Sequence, residues 1–191
     1  MKTQLIENKI TNQLKFERLS LRNIVKISEF YNGAISDPKF HELFHQRFLE
    51  LKWNNWRYYR GQAVLLLSAI PFVKKMLKKM PFTTHFLFSV ALSNSKAVGI
   101  CFLTVKNNEG AYAVAVHPKY QGLGIGTKLS YDIFVQAKEE GIRKIRLGVY
   151  QNNLKAVNLY KKIGFKIIKK HAKGDFWNGK YIPMYSMEKV M

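Results

Sequence analysis

Acidic side chains are scarce in this sequence. Asp and Glu number 12 against 32 Lys and Arg, which gives 191 residues a formal net charge of +20. No acid at all occurs between Glu50 and Glu109. The deficit is spread along the chain: residues 1–80 hold 15 basic and 6 acidic side chains, and residues 81–191 hold 17 and 6. Such an excess attracts polyanions and repels polyamines, and it is equally what a plain solvated lysine surface would show. Cysteine is almost missing. Cys101, within GICFLTV, excludes an intramolecular disulfide and reads as a small core residue. Long apolar runs are missing too. AVLLLSAIPFV (63–73) contains Pro71 and falls short of the roughly 20 residues that cross a bilayer. MKTQLIENKITNQLKF has no apolar core of a secretory signal, so the expectation is a cytoplasmic protein with no membrane span. Repeats and low-complexity linkers are also lacking, and the length suits a single domain, 1–191.

What is present is globular: 47% hydrophobic and 14% aromatic residues. LKFERLSL (14–21) alternates as a first strand and RNIVKISEFYN follows as a helix. Asp37-Pro38 opens a helical insertion over about 38–80, whose end VKKMLKKM is basic. Then come THFLFSVAL (84–92), the turn SNSK, AVGICFLTV (97–105), the turn KNNEG and AYAVAVHP (111–118), an antiparallel meander. A glycine-rich turn leads into a helix with Leu129, Ile133 and Ala137 on one face, closed by Gly141. IRKIRLGVY is a strand, NLKAVNLYKKIG a helix, and FKIIKK and PMYSMEKV two closing strands. The fold class predicted is mixed α/β: a mostly antiparallel central sheet flanked by helices, with the helical insertion before the second strand.

HELFH (41–45) matches the zinc-protease pattern H-E-x-x-H through His41, Glu42 and His45. A catalytic zinc needs a third protein ligand and an open position. The extended pattern would place Gly at 48 and His at 51, where Phe48 and Leu51 stand. His85, His117 and His171 have no spacing that recommends them. The reading is an amphipathic helix with two boundary histidines; no metal is expected, and a zinc hydrolase is the remote alternative.

QGLGIGTKL (121–129) lies between a strand and a helix. Glycines there allow a tight turn with several N–H groups at the start of the helix, where the macrodipole adds positive charge; a pyrophosphate suits such a place. The dinucleotide fingerprint requires G-x-G-x-x-G within a parallel βαβ unit. Here the order is Q-x-x-G-x-G after an antiparallel hairpin, and the nicotinamide reading loses.

VAVHPKYQGLGIGTKL followed by NLKAVNLYKKIGF resembles the two signature regions of the GNAT N-acetyltransferase superfamily. Gln121, Gly124 and Gly126 match its [Q/R]-x-x-G-x-[G/A] loop. Asn153, Ala156, Leu159, Tyr160, Gly164 and Phe165 match N-x-x-A-x-x-L-Y-x-x-x-G-F. The resemblance covers about residues 84–170 and extends to 14–31. It implies transfer of an acetyl group from acetyl-CoA, as co-substrate, to a primary amine by direct attack in a ternary complex. Main-chain groups of Val114, Ala115 and Val116 would hold the pantetheine arm. Amides of Gln121, Gly122, Leu123, Gly124, Ile125, Gly126 and Thr127 would hold the pyrophosphate, with Lys128 and Lys155 able to approach it. Asn153 would bond the arm or cap its helix. Tyr160 would protonate the departing thiolate, and an N–H at Val114–Val116 would meet the oxyanion. The base stays open among Glu109, Tyr150, His85 and a water chain. So does the acceptor: a protein N-terminus, a lysine or a small amine, with the charge fitting an acidic peptide or a ribosome- or nucleic-acid-associated protein. The insertion at 38–80 would serve as a lid, a homodimer contact or a basic docking surface. The alternative class is a non-catalytic module that binds acyl-CoA or nucleic acid.

Overall fold

The computed structural model describes residues 13–36, 70, 85–177 and 179–191. HELFH and, apart from residue 70, the insertion at 38–80 lie outside the described residues. Strand β1 (Leu14–Arg18) leads into α1 (Ile24–Ser36). Strands β2 (His85–Ser93), β3 (Lys96–Lys106) and β4 (Glu109–Val116) form the meander. Helix α2 (Ile125–Glu139), β5 (Lys144–Tyr150), α3 (Leu154–Lys162), β6 (Lys166–Trp177) and β7 (Lys180–Val190) complete the described chain. The seven strands make one sheet in the order β1-β2-β3-β4-β5-β7-β6. Only β4 and β5 run parallel; every other neighbouring pair is antiparallel. The predicted class is the observed one.

Local chemistry sets the boundaries. Strand β1 stops at Arg18, three residues short of the expectation, because Asn23 folds the chain back. Its Oδ1 accepts the Ser20 N–H at 3.0 Å, while its Nδ2 donates to the Arg18 carbonyl at 2.9 Å and to Glu17 Oε2 at 3.0 Å. Asn94, Ser95, Asn107 and Asn108 all have positive φ, the backbone of two-residue hairpin turns whose twist matches the flanking strands. The second turn therefore uses only Asn107 and Asn108, and β4 begins at Glu109, earlier than expected. Strands β6 and β7 run further than FKIIKK and PMYSMEKV, since each supplies the other's pairing partners past two register shifts.

The two faces of the sheet carry separate cores. On one, α2 and α3 pack Leu129, Ile133, Ala137, Val157 and Ile163 against Leu87, Cys101, Leu103 and Ile145. Leu129 and Ile133 are fully excluded from solvent, and burial of each contributes roughly 1.5–3 kcal/mol. On the other, Ile24, Ile27 and Phe30 of α1 cover Phe88, Val90, Leu92, Ile100 and Ala115. The alternation of strand side chains assigns each residue to its face.

Candidate active site

The sheet splits in its middle. Strand β4 pairs with β5 only where Glu109, Gly110 and Ala111 face Lys144, Ile145 and Arg146. Past that point β4 stays on β3 to Val116, and β5 stays on β7 to Tyr150. The two strands thus open a wedge, and no described strand pairs with the wedge side of β4 beyond Ala111.

Main-chain groups alternate sides along a strand. The His117 N–H donates to the Val98 carbonyl of β3 at 2.9 Å, which fixes the alternation. Ala115 therefore bonds across to Ile100, its partner in β3, and Val114 and Val116 turn their groups into the wedge. Ala115 departs from the expectation: its main chain belongs to β3. The Val116 carbonyl is taken as well, accepting from Gln121 Nε2 at 3.2 Å. What remains on the wedge side is the Val116 N–H and both groups of Val114.

Pro118 stops β4 and starts a 3-10 turn, Pro118–Tyr120. The Gln121 N–H closes that turn on the Pro118 carbonyl at 3.3 Å, so Gln121 too departs from expectation, serving the loop through its side chain. Gly122 and Gly124 then take φ of +86° and +73°, a region that suits glycine. Gly124 caps α2 with no side-chain hydrogen bond, and the first turn holds no acid. The first intrahelical bond runs from the Lys128 N–H to the Gly124 carbonyl. The amides of Ile125, Gly126 and Thr127 therefore precede the helical ladder and point out of its positive end. A Cβ on Gly126 would meet Leu159 Cδ2 at 3.3 Å, so glycine lets the loop lie against α3. Leu123 packs against the core below. Lys128 sets its ammonium over the Phe16 ring, 4.2 Å from the centroid.

Helix α3 delivers Tyr160. Asn153 caps that helix, accepting the Ala156 N–H at 3.1 Å, which is the capping half of its two expected roles. Tyr160 is buried beneath the wedge, edge-on to Tyr112 of β4 at 5.8 Å and to Phe165 at 6.0 Å. Burial, and secondly the nearby Cys101 thiol, push its hydroxyl far above the usual phenol range. Burial raises Tyr112 and Cys101 likewise. Tyr160 is thus kept protonated. Tyr112 was not singled out in the sequence, although its period-two spacing from Val114 and Val116 puts it on their face.

The three side chains named as bases separate cleanly. Glu109 sits at the closed end, 2.9 Å from Arg146 Nη1. It lies five to seven residues from Val114–Val116, about 16–23 Å along the strand. His85 pairs with Val105, and Val105 with Gly110, which places His85 at that same end, bound to Glu140 at 2.8 Å. Neither reaches the wedge. Tyr150 does: continuing the β4–β5 register past Ala111 and Arg146 brings it level with Ala115. Its hydroxyl donates to Asp175 Oδ2 at 2.9 Å, a contact across 25 residues that no motif signals.

The profile of the Acetyltransferase (GNAT) family matches residues 41–165. The chain belongs to the GNAT acetyltransferase family. It is 31% identical over 120 residues to the uncharacterized N-acetyltransferase ycf52 of Pyropia yezoensis, covering 59% of this chain and 67% of that one. Over 75 residues it is 35% identical to the [ribosomal protein bS18]-alanine N-acetyltransferase of Haemophilus influenzae, covering 39% of this chain and about half, 51%, of that enzyme. Among solved structures it shares the fold of yncA, a putative acetyltransferase from Salmonella typhimurium with its cofactor acetyl-CoA. There the TM-score is 0.67 at 14% identity, over 93% of each chain. No helix among the described residues is long and apolar enough to cross a membrane.

Proposed function

We infer that this acetyltransferase moves the acetyl group of acetyl-CoA onto the α-amine of a protein N-terminus, by direct attack with both substrates bound. The observation that carries this reading is the wedge with an uncapped helix start at its mouth. The donor set fits the coenzyme: outward amides, no carboxylate in the first turn, and a strand edge open over Val114–Val116. Gly122 to Thr127 would hold the diphosphate, Asn153 would stand near the arm, and Val114 and the Val116 N–H would pair with its amides. Acetyl-CoA supplies an acetyl thioester ready for attack.

The rest falls to the chain. An N–H at Val114 or Val116 would stabilise negative charge growing on the carbonyl oxygen, where a preorganised donor is most effective. Tyr160, kept neutral by burial, would give its proton to the departing sulfur. The acceptor rests on the likeness to the bS18-alanine enzyme, and the net charge of +20 suits a peptide with acidic residues.

The test has two arms. Calorimetric titration with CoA is expected to give one-site binding. Thiol release is then followed with an N-terminal-alanine peptide, a lysine peptide and a diamine, the alanine peptide turning over fastest. Preference for the lysine peptide or diamine would overturn the acceptor class. Tight CoA binding with no transfer to any of the three would favour a non-catalytic binding module.

A further inference from the structure

Strand β6 is an outer edge of the sheet, paired with β7 on one side and with no described strand on the other. Seven of the 20 residues from 161 to 180 are lysine, and Asp175 is the one acid among them. Lys166, Lys169, Lys170 and Lys173 are exposed along β6 itself. At about 3.3 Å per residue they span roughly 20 Å of the edge. No ion pair joins any of these four to an acid among the described residues. Glu188, opposite Lys166 in the register, is taken by Arg146 at 2.8 Å, and Asp175 accepts the Tyr150 hydroxyl.

Lysines on an edge strand have an ordinary use: they keep a second sheet from adding to it. The far end of β6 runs against that use. Phe176 and its cross-strand partner Tyr181 stand in solvent at 57% and 55% exposure, with their centroids 5.0 Å apart. Every other described phenylalanine is buried or half-buried. Two bare rings side by side invite the association that the lysines prevent, so protection alone does not account for this edge. The Lys173 ammonium lies 5.3 Å from the Tyr181 centroid. A group bound there meets a cation and a flat apolar surface together.

An acidic peptide would satisfy the lysines and leave the rings idle. A nucleotide carries both complements, a phosphate for the ammonium and a base with a flat π-face for the ring. A duplex hides its base faces within the stack, whereas RNA loops and ends present them unstacked. We propose that the β6 edge is a binding surface for single-stranded RNA. Lys166, Lys169, Lys170 and Lys173 track its phosphates, and Phe176 and Tyr181 stack on its bases. The surface is separate from the wedge, since β5 and β7 lie between β6 and the split, and it does not depend on the acetyl-transfer reading.

The experiment follows fluorescence anisotropy of a labelled oligouridylate of about 12 nucleotides with the full chain, with and without saturating CoA. Binding is expected to weaken steeply with salt and to be unaffected by CoA. Each phosphate contact contributes about 0.7 to the slope of log affinity against log salt concentration. Lys166→Gln, Lys169→Gln, Lys170→Gln and Lys173→Gln combined should therefore lower that slope by about 2–3. Phe176→Ala and Tyr181→Ala should each weaken binding about fivefold or more at an unchanged slope, through loss of a stacked base. Calorimetric CoA affinity should stay that of the wild type in every variant. No salt-sensitive binding in the wild type, displacement of the RNA by CoA, or a slope that the lysine variant leaves unchanged would overturn the proposal. So would a polyglutamate peptide that binds as tightly and is indifferent to the ring variants, which would assign the edge to acidic proteins.

Discussion

The two ends of the β4–β5 junction are built from the same pair of strands and do opposite work. At the closed end, Glu109–Ala111 and Lys144–Arg146 share a ladder, and Arg146 ties the strands together through Glu109 and Glu188. Glu109 and Arg146 there are exposed and ion-paired, Glu188 is half-buried, and the His85–Glu140 pair at the same end is largely covered. At the open end the ladder has stopped, the strand edge is turned toward a gap, and the floor is a buried stack of Tyr112, Tyr160 and Phe165. Main-chain donors that a sheet would ordinarily consume face no partner strand among the described residues. The lesson is that an open strand edge, which the proposed function uses to bind the coenzyme, can be made by withholding pairing from two strands that are otherwise well anchored.

The comparison breaks most visibly at Tyr160. Tyr160→Phe keeps both ring contacts and removes the proton donor. Steady-state assays should show kcat down by about 10²-fold or more, with CoA affinity held. Equal kcat in the two proteins would remove Tyr160 from the mechanism. Next is the cradle. Gly124 has φ of +73°, and a Cβ there would meet open space, so Gly124→Ala tests backbone strain alone. The left-handed conformation costs a non-glycine residue roughly 1–2 kcal/mol, and CoA affinity by calorimetry should weaken several-fold.

A smaller effect belongs to the packed floor. Cys101, Tyr112 and Tyr160 are all raised by burial, so above their ordinary values the unfolded chain holds fewer protons than the folded one. Stability must therefore fall as pH rises. Their contribution is intact below the ordinary thiol value of 9.0 and declines above it. Melting scans from pH 8 to about pH 11 should show Tm dropping beyond pH 9. A flat profile would deny that the stack is held neutral. The least effect is expected at the closed end. Glu109→Gln removes an exposed ion pair, and kcat/KM should stay within about twofold of wild type. A large loss would return Glu109 to candidacy as the base and undo the distinction between the ends.

Much of this was readable in advance. Leu129, Ile133 and Ala137 repeat at helical spacing and face the core, and SNSK and KNNEG mark the hairpin turns. The turn QGLGIG and the Asn153 cap lie where their residue types suit a helix start. Other features depend on pairing between distant segments, which local chemistry does not encode. Strands β6 and β7 lengthen because each finds the other. The Ala115 and Gln121 amides look available by proximity to the motif, and they are consumed once β3 and the 3-10 turn are in place. Tyr150 meets Asp175 only after the sheet brings β6 beside β7 and β7 beside β5. His85 and Glu109 fall away as bases for the same reason, since register decides which end of the wedge a residue occupies.

The most direct test of the wedge and its amide cradle is calorimetric titration of CoA into wild-type protein and into Gly126→Val, whose added side chain would press on Leu159. The expected result is one binding event in the wild type, weakened about tenfold or more in the variant at comparable Tm. No heat in the wild type, or equal affinity in both proteins, would contradict it.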